Sequence, residues 1–198
     1  MIAAPVAGAL PRAFAIEYNA HRLLPRMEGE YLHVGASNFD FLTGKSLQRL
    51  KDGASVAFVA QLMVSDTPDF AIPNARAMAR FAVSYDIWEE RFSVTRVADG
   101  AEQKRTISHQ LAPAAENWCL DNLAIHRTEL PLDRPFYLRL DLRVEDPRDQ
   151  PGVIGDSGIS LSNLVEIFSR PIRDHQDRYP TWTAGPIRME DIPRGARG

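Results

Sequence analysis

The side chains best equipped for chemistry in this sequence are arginines at alternating positions of two segments: Arg80 with Asp86, and Arg139 and Arg143 with Asp141. All project opposite the apolar alternation of their segments. A guanidinium offers a planar fork of donors that grips a carboxylate or phosphate bidentately. If the two segments neighbour each other, Arg80, Arg139 and Arg143 form an arginine-rich, anion-binding face. The structural alternative is that mixed charges on a wet strand face solvate the sheet and fix its register, each exposed pair contributing little.

Other constellations lack the context their chemistry requires. Gly155-Asp156-Ser157-Gly158 invites comparison with the nucleophile loop of chymotrypsin-like proteases, but Ile159 replaces the next glycine and no upstream histidine has a matching Ala-Ala-His setting. The stretch from Asp146 to Gly158 reads instead as a surface loop. Its acids, Asp146, Asp149 and Asp156, lack the alternating Asp/Asn spacing, central glycine and closing glutamate of a calcium loop. His21, His33, His109, His126 and His175 show no ligand spacing, so no metal and no cofactor is expected. Glu89 and Glu90 are adjacent and point to opposite faces, which does not make a glycosidase acid pair. Trp88 and Trp182 are expected to seal the edge of the core, with a contact surface as the other reading.

The 198 residues suit one domain, and 44% hydrophobic with 25% charged residues is ordinary globular usage. A formal charge of −3 gives no general basic field, so neither nucleic acid nor anionic lipid is expected as a partner. Only Lys45, Lys51 and Lys104 are lysines, and the bias to arginine reads first as genomic composition. Cys119, the single cysteine, rules out an internal disulfide framework, and between Trp118 and Leu120 it reads as a small buried hydrophobe. No apolar run reaches the roughly 18 residues of a membrane-spanning helix. The start, Met1 to Leu10, is apolar and alanine-rich, with Arg12 its first basic residue. That order is wrong for a complete secretory signal but suits the region after a cleaved leader, which leaves export and the cytoplasm evenly matched.

The elements that must position these residues are mostly strands. Phe136, Leu138, Leu140, Leu142 and Val144 alternate with Tyr137, Arg139, Asp141 and Arg143, the period of a half-buried strand. Val56 to Val64 is apolar on both faces and belongs at the centre of a sheet. Met78 to Trp88 places Ala79, Phe81, Val83, Tyr85 and Ile87 on one face. A turn at Glu89-Glu90 leads to Phe92–Val97, and Asp99-Gly100 suits a type I′ hairpin returning through Lys104 to Ser108. Shorter strands are read at Phe14 to Tyr18 and around Leu32 and Val34.

Three helices are expected. The first runs from a Thr43 cap to Asp52 and is ended by Gly53; the second runs from Pro113 to about Ile125. The third is capped by Ser160 or Ser162, carries Leu161, Leu164, Val165 and Phe168 on one face, and stops at Pro171. The predicted fold is therefore mainly β: an antiparallel β-sandwich, immunoglobulin-like, with two or three short helices in a single domain spanning 1–198. Its termini, about 1–12 and 172–198, are read as extended or partly flexible.

The segments Leu47-Gln48-Arg49-Leu50-Lys51-Asp52-Gly53, Phe81-Ala82-Val83-Ser84-Tyr85-Asp86 and Phe92-Ser93-Val94 follow one another in an order that resembles an uncharacterised bacterial, envelope-associated family of domains of unknown function. The resemblance covers Leu47 to Leu123. It implies a compact exported domain with an unknown partner and lends no active site.

The sequence thus points to a noncatalytic binding or interaction module with a protein partner, its edge strands also permitting a homodimer. The rival is a small-molecule or anion-binding protein, or an enzyme whose site joins the Arg139/Arg143 face to a histidine such as His109 or His126.

Overall fold

The computed structural model describes residues 21–97, 105–109, 111–145 and 179–195. The strands are β1 (Leu23–Glu28), β2 (Tyr31–Ala36), β3 (Val56–Ser65), β4 (Ala75–Asp86), β5 (Arg91–Val97), β6 (Arg105–His109), β7 (Ile125–His126), β8 (Phe136–Val144) and β9 (Trp182–Ile187). Helices α1 (Gly44–Lys51) and α2 (Ala112–Asp121) lie between them. The strands form two antiparallel sheets packed together, one of six strands in the order β6-β5-β4-β3-β8-β9 and one of three in the order β1-β2-β7. This is the mainly β, two-layer architecture that the alternating pattern predicts.

β3 lies between β4 and β8, the central place its two apolar faces require. Phe58, Ala60, Leu62 and Val64 point into the core, while Val59, Gln61 and Met63 on the outer face are buried as well. Around Phe58 the core is aromatic, with Phe41 edge-on to it at 4.7 Å and Phe81 meeting Trp118 of α2 at 6.2 Å. Edge-to-face pairs of this kind stabilise beyond their buried area because ring edges and faces carry opposite partial charge. The small sheet closes the layer with Leu23, Met27, Leu32, Val34 and Ile125.

α1 begins after Thr43 and ends at Gly53, whose φ of +84° is the left-handed conformation that a glycine adopts without a Cβ penalty. α2 contains Pro113 in its first turn, as expected, but stops at Asp121, so that Ile125 pairs with Leu32 instead of continuing the helix. Cys119 is buried on α2, and that burial raises its thiol pKa, with Glu116 adding to the rise.

Glu116 is a buried carboxylate on α2 that accepts the Leu42 N–H at 2.7 Å, with a further backbone hydrogen bond from Phe41. It thereby ties the helix to the chain leading into α1. Burial raises its pKa, the two backbone donors oppose this, and Asp40 adds to the rise. An acid with a raised folded-state pKa keeps protons that the unfolded chain releases. Its folded state therefore loses stability as pH climbs from the ordinary carboxylate range through the raised value. We expect E116Q, which keeps an acceptor for Leu42, to unfold with a shallower decline over that window. Urea midpoints of the two proteins across pH 4 to 7 should converge at the acid end, at roughly the ordinary glutamate pKa. Parallel curves would show that Glu116 does not titrate there.

β1 and β9 were not anticipated as strands. β1 carries Pro25, and β9 lies inside the segment read as an extended tail from its recurring prolines, Pro180, Pro186 and Pro193. β9 is an edge strand, where proline is tolerated. A Cβ on Gly185 would stand 2.7 Å from Tyr137 Cδ1 and 2.9 Å from the Phe136 carbonyl, so only glycine lets the strand approach β8 beside its register shift. Beyond it, Met27 donates its N–H to the Pro193 carbonyl at 2.9 Å and accepts from Gly195 at 2.8 Å, fastening residues 193–195 along β1. The Phe14 to Tyr18 strand, the Asp99-Gly100 turn, the loop from Asp146 to Gly158 and the Ser160 to Pro171 helix lie outside the described residues.

Candidate functional site

The arginine face exists as a face, but its strands are not adjacent. β4 and β8 flank β3, so that Arg80 and Arg143 both stand opposite Val59, one on each side, and Arg139 faces Arg76 across Met63. Strand spacing puts the Arg80 and Arg143 backbones about 10 Å apart. Arg80 reaches over the central strand and donates from Nε to Glu145 Oε2, in a pair whose side chains are 17% and 3% exposed. The Glu145 backbone is held in turn by its N–H on the Ala57 carbonyl at 2.8 Å. Arg139 donates to Asp141 at 3.0 Å, and Thr181 donates to the same carboxylate at 3.0 Å. Burial lowers the Arg143 pKa, Asp141 opposes the shift, and Arg139 adds to it.

The histidines do not join this face. His109 pairs with Phe92 on β6, on the core side of the sheet, with β5, β4 and β3 between it and β8, a span of about 19 Å. His126 is in the small sheet, its ring edge-on to Tyr31 at 5.1 Å. Among the described residues no three of His, Cys, Asp and Glu are grouped to hold a metal.

The sandwich also has an open groove of about 1160 Å³ between β1, β9 and the β3–β4 loop. Leu24, Phe70, Tyr137 and Pro186 give it apolar walls, with Arg22 and Asp191 at its margin. Asn38 and Phe70 in this lining have φ of 50° and 55°, an unusual backbone for both.

The most exposed large apolar side chain among the described residues is elsewhere. Trp88, expected to seal the core edge, stands 96% exposed at the tip of the β4–β5 hairpin, and its neighbour Ile87 is 55% exposed. The reason lies in Asp86. Its carboxylate accepts the N–H groups of Trp88 at 2.9 Å and Glu89 at 3.0 Å, which ends the strand and turns Trp88 outward. Glu90 closes the turn at φ 53°, and Tyr85 packs on Phe92 at 4.8 Å beneath it. Leu111, the residue before α2, is also exposed, at 68%. The sequence signal was Asp86 itself, because an aspartate side chain readily accepts backbone N–H groups two and three residues on and so starts a turn. Trp182, by contrast, is 1% exposed and does seal the core, donating from Nε1 to the Ser37 carbonyl at 2.9 Å.

No protein family, curated protein or solved structure matches the chain.

Proposed function

We propose that this protein is a noncatalytic interaction module that docks a protein partner through the tip of the β4–β5 hairpin. The observation that carries the reading is the nearly complete exposure of Trp88 on a turn whose backbone is already fixed. A large aromatic in water is costly surface, and tryptophan is among the residues that dominate binding energy when inserted into a partner. Because Asp86 holds the turn before binding, little conformational entropy is lost on docking.

The test replaces Trp88 with photoreactive p-benzoylphenylalanine in the full chain, irradiates it in extract of the source cells, and uses the same replacement at exposed Lys51 as control. The protein joined only at position 88 is then purified and titrated against wild type and W88S. Loss of about 2 kcal/mol or more, roughly 30-fold in Kd, is expected for W88S. Equal binding by the two would reject the tip as the docking element. Thermal stabilisation by a small molecule, with no adduct at position 88, would favour a ligand-binding protein instead.

A further inference from the structure

We propose that the hairpin tip is an aromatic knob for an apolar socket whose rim is cationic, on a protein and not on a lipid surface. This rests on the reading of the tip as a docking element and adds the chemistry of what it meets. The run Asp86 to Arg91 that carries Ile87 and Trp88 also holds Asp86, Glu89 and Glu90, with Arg91 as its one positive charge. Arg91 leans on Glu89 at 3.6 Å, so the cation is directed towards an acid of its own turn. Asp86 serves the turn's backbone, which leaves the glutamates to set the character of the rim.

Charge decides between the two kinds of apolar partner that a tryptophan suits. Segments that insert aromatics into membrane interfaces carry lysine and arginine, because basic residues are drawn to an anionic leaflet and acids are repelled. Here the run that bears the knob holds three carboxylates against one guanidinium. A socket on a protein rimmed with lysine or arginine would meet the glutamates with complementary potential, and such rims act chiefly on association rate. The knob is also small. Trp88 with Ile87 supplies a few hundred Å², below the roughly 1,000 Å² of a stable interface, so the knob by itself makes a transient contact.

The experiment uses the protein cross-linked at position 88 as probe, with wild type, W88S and E89K/E90K as full chains whose melting temperatures are checked first. Association is followed at low and high salt, and tryptophan emission is followed in parallel with vesicles of phosphatidylcholine and of phosphatidylglycerol. We expect W88S to lose binding, and E89K/E90K to associate roughly tenfold more slowly at low salt with the difference shrinking as screening shortens the field. We expect no emission shift with either vesicle. Binding lost in W88S but unchanged in E89K/E90K would overturn the cationic rim while leaving the docking element standing. A Trp88-dependent blue shift on vesicles would assign the tip to a lipid surface. Absence of any adduct specific to position 88 would reject both the rim and the docking reading beneath it.

Discussion

Replacing Arg80 by methionine should lower the unfolding free energy by about 3–5 kcal/mol, because it strands a carboxylate inside the sheet face. Glu145 is 3% exposed, and Arg80 is its ion-pair partner across β3. Without the guanidinium, the carboxylate must stay charged in a poorly solvated place or take up a proton, and both cost stability. E145L alone should cost less, since the Arg80 head, 17% exposed, can turn towards water. The double variant R80M/E145L removes both charges and should recover most of the loss, as buried pairs replaced by apolar groups of similar volume often do. Urea unfolding of the four proteins, with unchanged m-values, gives the coupling directly. Additive costs of under about 1 kcal/mol each would mean that water screens the pair, and a binding role for Arg80 would become the better reading.

A comparable loss is expected at the β9 edge of the same sheet. Trp182→Ala should cost about 3–5 kcal/mol, the range for large aromatics removed from a core. The ring is edge-on to Phe39 at 5.0 Å and to His21 at 5.8 Å, and its Nε1 donates to the Ser37 carbonyl at 2.9 Å. It therefore fastens β9 both to the residue leading into β1 and to the chain between β2 and α1. W182F should recover part of the packing and leave the Ser37 carbonyl without its donor, at an intermediate cost of roughly 1–3 kcal/mol. In a chain of this size the alanine variant should melt roughly 10 °C lower. If instead it melts within about 2 °C of wild type, β9 lies outside the cooperative unit.

These two expectations differ in how far the sequence announced them. The outward direction of Arg80, Arg139 and Arg143 followed from period two, since a residue's face is fixed once its neighbours Phe81, Leu138 and Leu142 are assigned to the core. That Arg80 would meet Glu145 did not follow. The pair is 65 residues apart in the chain and forms only because β4 and β8 flank the same strand. For Trp88 the opposite happened. The alternation through Ile87 extended the strand two residues too far, and the local hydrogen bonds of Asp86 ended it first.

By itself the sequence determined the mainly β class, the central place of β3, the inward faces of β4 and β8, the end of α1 at Gly53, and the turn at Glu89-Glu90. Each of these rests on local information: the two-residue period of side-chain direction, the apolar count on each face, or the φ that a glycine permits. The tertiary structure alone decided the strand order, the membership of β1 and β9, the Arg80–Glu145 pair, and the separation of His109 from the arginine face. Those depend on which segments meet in space, and pairing between distant strands is set by the summed burial of a whole layer, which no single stretch of residues encodes.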